Sequence, residues 1–172
     1  MVSLRTKGSF LKLYGWLPIL ILYVSVLNEF DLNYLNLEYF SFNFPFILIF
    51  FFTLKDFKHF DYILVFIAGL FNDTVVGLPL GISSLSYLLI CGFTAYLRNI
   101  TLRPNMLKDW VFFLLTTVFA SSLSYSLLVL FFSFKLNYAD LLVNLLFTFL
   151  FYGIFAYLFE IYNKLAFDKK DD

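Results

Sequence analysis

The densest chemistry in this sequence is the run from Gly69 through Asn72, Asp73 and Thr74 to Gly77, Pro79 and Gly81, which places one carboxylate and three helix-weakening residues between two apolar stretches. A carboxyl group in such surroundings must accept hydrogen bonds from backbone N–H or hydroxyl groups, face a polar crevice or bundle interior, or hold a proton. Thr74, Ser83 and Ser84 are its nearest hydroxyl neighbours along the chain. Three roles follow. Asp73 can cap the segment after it while Gly77, Pro79 and Gly81 turn the chain, it can pass ions or protons, or it can polarise a groove that a partner recognises. Ion or proton coupling ordinarily uses several intramembrane charges, and the apolar runs that follow carry none near mid-depth. Gly77 and Gly81 also match the small-xxx-small packing pattern, but Pro79 between them favours a turn over a dimer face.

Three stripes of small or polar residues accompany this corner. Thr116, Ala120 and Ser124 recur every four residues, with Thr117 and Ser121 beside them. Ser83, Tyr87, Cys91 and Thr94 share one helical face, and Asn144, Thr148 and Tyr152 share another. Such stripes let helices approach closely, and the three are expected to meet inside a bundle rather than line a ligand cavity. The sets needed for catalysis are missing. His59 is the single histidine and lies in a polar hairpin near Lys58 and Asp61, while Cys91 has no second cysteine to pair with. Asp109, Glu160 and His59 are too scattered along the chain to form a lipid-headgroup enzyme. No catalytic, cofactor-binding or metal site is therefore expected, and no nucleic-acid partner.

The elements that must hold these residues are apolar runs in a chain that is 62% hydrophobic and 14% charged, too little polar surface to face water. Hydropathy predicts an all-α integral membrane protein, a single domain over residues 1–172 whose six spans cover about 13–27, 39–54, 62–78, 82–97, 110–132 and 139–161, with a charged tail over 164–172. Pro45 early in the second span, and Asn72 with Asp73 in the third, make these two the candidates for short, tilted or re-entrant segments. The first span follows Arg5, Lys7 and Lys12 and lacks a small-x-small cleavage site, so it is expected to be retained. Eleven of the twelve basic residues fall on one side of this layout, Lys135 being the exception, while Glu29, Asp31 and Glu38 crowd the first opposite loop. Basic loops stay cytoplasmic, which predicts both termini there, and Trp16 and Trp110 are expected at that interface with wet indole N–H groups.

The run Gly69-Leu70-Phe71-Asn72-Asp73, then Gly77-Leu78-Pro79-Leu80-Gly81 and Ser84-Leu85-Ser86-Tyr87-Leu88-Leu89, followed by Arg98 and Arg103, resembles the bacterial rod shape-determining protein family MreD. Phe44-Pro45-Phe46-Ile47-Leu48 looks like that family's proline-led second span. The resemblance implies a non-catalytic scaffold of the lateral cell-wall elongation machinery in the inner (cytoplasmic) membrane. Its partners would be MreC and, through it, the actin-like MreB, the glycosyltransferase RodA and a class B penicillin-binding transpeptidase, with homo-oligomerisation left open. Asn72, Asp73, Gly77, Pro79, Gly81, Ser84, Thr116, Ala120 and Ser124 are then the candidate partner-binding or structural residues. Two departures from the family stand out: Asn72 replaces a small residue, and the twenty-six phenylalanines exceed its usual content and are expected to face lipid. The same resemblance suggests a fold related to the substrate-binding subunits of energy-coupling-factor transporters, whence the alternative of a vitamin-type transporter subunit. Against it, Leu17 to Leu27 lacks the alanine pattern through which those subunits dock.

Overall fold

A computed structural model describes residues 16–27, 42–55, 60–100, 105–133 and 138–167, which form helices and no strands. The helices are α1 (Trp16–Leu27), α2 (Phe44–Leu54), α3 (Tyr62–Val76), α4 (Ile82–Ile100), α5 (Met106–Phe132) and α6 (Tyr138–Phe167). Arg5, Lys7, Lys12, Glu29, Asp31, Glu38, Lys58, His59, Arg103, Lys135 and the tail from Asp168 lie outside the described residues. A helix overlaps each expected span; from α2 onward at least one end differs, and the start expected for the first span lies outside the described residues. Asn105 accepts a hydrogen bond from the Leu107 N–H at 3.2 Å, so α5 starts four residues before Trp110 and takes in Lys108 and Asp109. In α3, Asn72 and Asp73 do not interrupt the helix but form part of its last turn.

α2 is the hub. Asn43 caps it by accepting from the Phe46 N–H, and Pro45 occupies the first turn, where a missing N–H breaks no helical bond. Its 11 residues extend only about 16 Å, half the thickness of a hydrocarbon layer. α4, α5 and α6 all pack on it, and every residue from Phe46 to Thr53 is buried. The Phe50 ring stands edge-on to Phe113 and Tyr152, at 5.2 and 5.6 Å between centroids, while Phe113 and Tyr152 stack on each other at 4.3 Å. Phe46 meets Tyr87 edge-on, and Phe51 and Phe52 reach Phe159. This corrects the expectation that the phenylalanines face lipid. Phe66, Phe93, Phe119, Phe131 and Phe132 are exposed, but the five on α2 form the interior, where the flat rings interlock at offset angles.

Both ends of α2 are tied by polar contacts to other helices. The Asn43 N–H donates to Thr148 Oγ1 of α6 at 2.8 Å, and Arg98 of α4 donates through Nη1 to the Thr53 carbonyl at 3.2 Å. A cation at the closing turn of a helix also meets the negative end of its dipole. On the other side of the molecule α1 joins α3 through the Tyr23 hydroxyl, which donates to the Leu64 carbonyl at 3.0 Å.

α5 and α6 are long and apolar enough to cross a membrane. Only 39% of the most apolar stretch of α5 and 17% of that of α6 is buried, so neither is the hidden core helix of a water-soluble fold. Leu115, Leu130, Phe131, Leu142, Leu146, Leu150 and Ile154 point outward, whereas Ser83, Ser84, Ser86, Thr94, Thr116, Thr117, Ser121, Ser124 and Thr148 point inward. An apolar exterior of this extent, over an interior that holds hydroxyls as well as α2's apolar side chains, is not the surface water selects. Replacing Phe50 with Ala should lower stability by about 3 kcal/mol through lost ring contacts. Leu130→Ala, on the outer face, should change it by less than about 1 kcal/mol. Unfolding in detergent micelles measures both, and equal losses would count against this assignment of inside and outside.

Candidate functional site

Asp73 is completely buried and holds the corner between α3 and α4 with both its backbone and its side chain. Gly77 adopts a left-handed conformation, φ 73°, so that the N–H groups of Gly77 and Leu78 both turn back to the Asp73 carbonyl, the latter at 2.9 Å. This is a left-handed C-terminal cap, in which glycine takes the turning position without strain. The side chain then points the other way along the path of the chain. Oδ2 accepts from the Gly81 N–H at 2.6 Å and Oδ1 from the Ser83 N–H at 2.8 Å. Gly81, φ 104°, sits at the mouth of α4, so Asp73 satisfies donors of a helix that begins nine residues later. An acceptor there also meets the positive end of the α4 dipole.

The neighbouring hydroxyls serve other acceptors. Thr74 Oγ1 donates to the Phe71 carbonyl, and Ser84 Oγ donates to the Phe66 carbonyl at 3.0 Å. Asn72 reaches across the corner instead, its Nδ2 donating to Ser83 Oγ at 2.9 Å. Asn72 therefore adds a second tie between α3 and α4 that a small residue at this position could not make. Pro79 lies in the turn and accepts at its carbonyl from the Ile82 N–H.

The closest approach lies one turn earlier on α3 and was not among the expected residues. A Cβ built on Gly69 would fall 2.4 Å from Ser84 Cα and 2.6 Å from Ser84 N, so only glycine lets the two backbones meet here. A glycine in the interior of an apolar helix was the available signal, since it weakens the helix unless something needs the space.

The stripes meet, but not all with one another. Ser86 Oγ of α4 and Ser124 Oγ of α5 lie 2.5 Å apart, and each is also within reach of its own helix's backbone, at Ile82 O and Ala120 O. One hydroxyl can give its proton to the partner while the other gives its own to the carbonyl. Thr116, Ala120 and Ser121 are buried on the same face of α5, with Thr116 donating to Phe112 O. On α4, Tyr87 and Cys91 instead face α2, through the Phe46 ring and the Thr53 hydroxyl. On α6, Thr148 meets Asn43 and Tyr152 meets Phe50 and Phe113, so the expected union of all three stripes is interrupted by α2. Trp110 also departs from expectation: its Nε1 donates to the Phe149 carbonyl at 2.8 Å and its ring stacks on Phe149, instead of keeping a wet N–H.

No family model, curated protein or solved structure matches this chain. Its chemistry has to be read from the atoms of the corner. Among the described residues no buried side-chain nitrogen or oxygen lacks a hydrogen-bond partner, and both oxygens of Asp73 are engaged by the chain's own backbone. Such an arrangement sets the angle and spacing of two helices.

Gly69→Ala should destabilise the protein by about 3 kcal/mol through overpacking against backbone, and adding Ser84→Gly should not restore it, because the Ser84 Cα and N are in the way. Restoration by the double variant would show that the Ser84 hydroxyl alone was the obstacle. Asp73→Leu should cost about 3 kcal/mol by leaving the Gly81 and Ser83 N–H groups without an acceptor, and Asp73→Asn, which keeps one carbonyl oxygen, should cost less. Thermal unfolding in micelles ranks the pair, and an Asn variant as weak as the Leu variant would argue against capping as the role.

Proposed function

We propose that this chain is a six-span protein of the bacterial inner membrane with both termini cytoplasmic, a non-catalytic scaffold of the cell-wall elongation machinery of the MreD kind. The observation that carries it is the exposed apolar surface: Leu, Ile and Phe cover the outside of α5 and α6, while among the described residues the buried hydroxyls and the Asp73 carboxyl group are hydrogen-bonded within the protein. A hydrocarbon environment favours that arrangement, because each polar group must find its partner within the protein. The short α2 fits the proposal as a central helix shielded from lipid by α4, α5 and α6, where incomplete crossing is tolerated.

Scaffolding suits the corner better than solute binding. Asp73 spends its acceptors on Gly81 and Ser83, so a vitamin-sized solute would have to displace backbone hydrogen bonds to use it. A partner's transmembrane helix needs only a rigid, apolar face with close-approach positions. α3 presents such a face in Ile63, Phe66 and Leu70, one stripe of the helix, fixed against α4 by Gly69 and Asp73. MreC, a membrane protein of the same machinery, is the direct partner in this proposal, with MreB, RodA and the class B transpeptidase reached through it.

A photo-crosslinking residue at Ile63 or Phe66 in a rod-shaped bacterium should trap MreC, and one at Leu150 of α6 should trap it less. Recovery of a folded, inserted protein without any MreC adduct would overturn the partner assignment. A carboxyl-terminal reporter active only in the periplasm would overturn the topology, and saturable vitamin binding by the purified protein would favour the transporter alternative.

A further inference from the structure

A second polar cluster lies away from the α3–α4 corner, in a partly open cleft of about 280 Å³ where the end of α2, the start of α5 and the second half of α6 converge. Phe51, Tyr152 and Ala156 form its buried apolar floor, Met106 is on its exposed rim, and Lys55, Asp109 and Glu160 supply the charges. Asp109 and Glu160 are half-buried and Lys55 is exposed, its ammonium 5.8 Å from the centre of the Phe51 ring. Glu160 also has Lys164 at 3.6 Å on its outer side.

We propose that this cleft binds a phospholipid headgroup that carries a primary ammonium beside its phosphate. The assignment rests on the membrane location proposed above. Two carboxylates can accept two of the three ammonium N–H donors, and Lys55 can pair with the phosphate, so the cleft offers charges of both signs to a headgroup that carries both. A choline headgroup has no N–H to donate. A purely anionic headgroup would face Asp109 and Glu160. The lipid, rather than a free amino-phosphate, is favoured because the cleft lies beside exposed apolar surface: Val111, Ile154 and Tyr157, toward the middle of α5 and α6 from the two carboxylates, would lie along its acyl chains. Charges at the end of two membrane-length helices also stand at the level where headgroups are found.

Trp110 is adjacent to Asp109 in sequence and reports on the cleft. In a Trp16→Phe background it is the single indole, because the chain has two tryptophans. Reconstituted into phosphatidylcholine nanodiscs, the protein should be quenched by phosphatidylethanolamine brominated on its upper acyl carbons at about one-tenth of the concentration needed with brominated phosphatidylcholine, the preference one charge-assisted hydrogen bond supports. Asp109→Asn with Glu160→Gln should abolish the preference, and the single Glu160→Gln, on the helix surface, should reduce it even where the double variant folds poorly. Equal quenching by the two lipids, or a preference unchanged in both variants, overturns the proposal. Soluble glycerophosphoethanolamine competing as well as the lipid overturns the lipid assignment in favour of a free ligand. Failure of the protein to enter nanodiscs overturns this proposal together with the membrane location, whereas entry without preference leaves the membrane location standing.

Discussion

The structure depends on a carboxyl group that closes one helix and opens the next. Asp73 offers its main-chain carbonyl to Gly77 and Leu78 at the end of α3 and its two side-chain oxygens to Gly81 and Ser83 at the start of α4. One residue thereby satisfies two N–H donors at the start of α4 and closes the last turn of α3 through its own carbonyl. In water those donors could bond to solvent, and the corner would be a convenience. Beside hydrocarbon it is a requirement, since an unpaired N–H there costs several kcal/mol. The glycines on either side follow from this geometry: Gly77 and Gly81 both hold positive φ, and a side chain at either would strain the backbone before it met any neighbour.

From that corner the rest of the bundle is built by close approach. Gly69 lets α3 lie on the α4 backbone at Ser84, which brings Asn72 and Asp73 to the mouth of α4. α4 then has its polar side turned inward, toward Ser124 of α5 and Thr53 of α2, and its other flank left to Phe93, Tyr96 and Ile100. Most of the buried hydroxyls return a hydrogen bond to the carbonyl three or four residues behind them, as Thr94, Thr116, Thr117 and Thr148 do. A hydroxyl bonded in this way is neutralised within its own helix and becomes a small packing surface. The stripes thus work by being compact, and their polarity is spent locally except where a group reaches another helix, as at Ser86 with Ser124, Ser83 with Asn72, Ser84 with the Phe66 carbonyl, Cys91 with Thr53 and Thr148 with Asn43.

Those two scales explain what could be read from the sequence and what could not. The corner was legible because its signals are local: an acid, a proline and two glycines within nine residues permit few structures other than a cap and a turn. Helix existence was legible for the same reason, from runs of apolar residues. Neighbour relations were not. α2 is apolar on all sides, so no periodicity marks which face meets α4, α5 or α6, and its five phenylalanines resemble lipid-facing residues until the surrounding helices are in place. Arg98 reads as one more loop charge, yet its length carries the guanidinium to the end of α2, forty-five residues away in sequence. The Trp110 indole likewise finds the carbonyl of Phe149, which no local pattern announces. Asn72 was noticed as an oddity, and its function as a donor to Ser83 needed the α3–α4 approach to be known.

A lone acid buried between apolar helices invites a transport interpretation, and the geometry of its partners decides the matter. A carboxyl group that moves a proton or an ion must be able to change partners during the cycle, so some of its acceptor capacity must be open to a pathway. At Asp73 the acceptors are directed at main-chain N–H groups that have no alternative partner in the corner, and losing either would unfasten the start of α4. The charged residues of the second cluster are arranged in the opposite way. Lys55, Asp109 and Glu160 border a cleft with their ends only partly covered, and they remain able to exchange partners without loosening a helix. Burial and engagement thus separate the two: the residue hidden most deeply sets shape, and the residues at the rim are free to recognise.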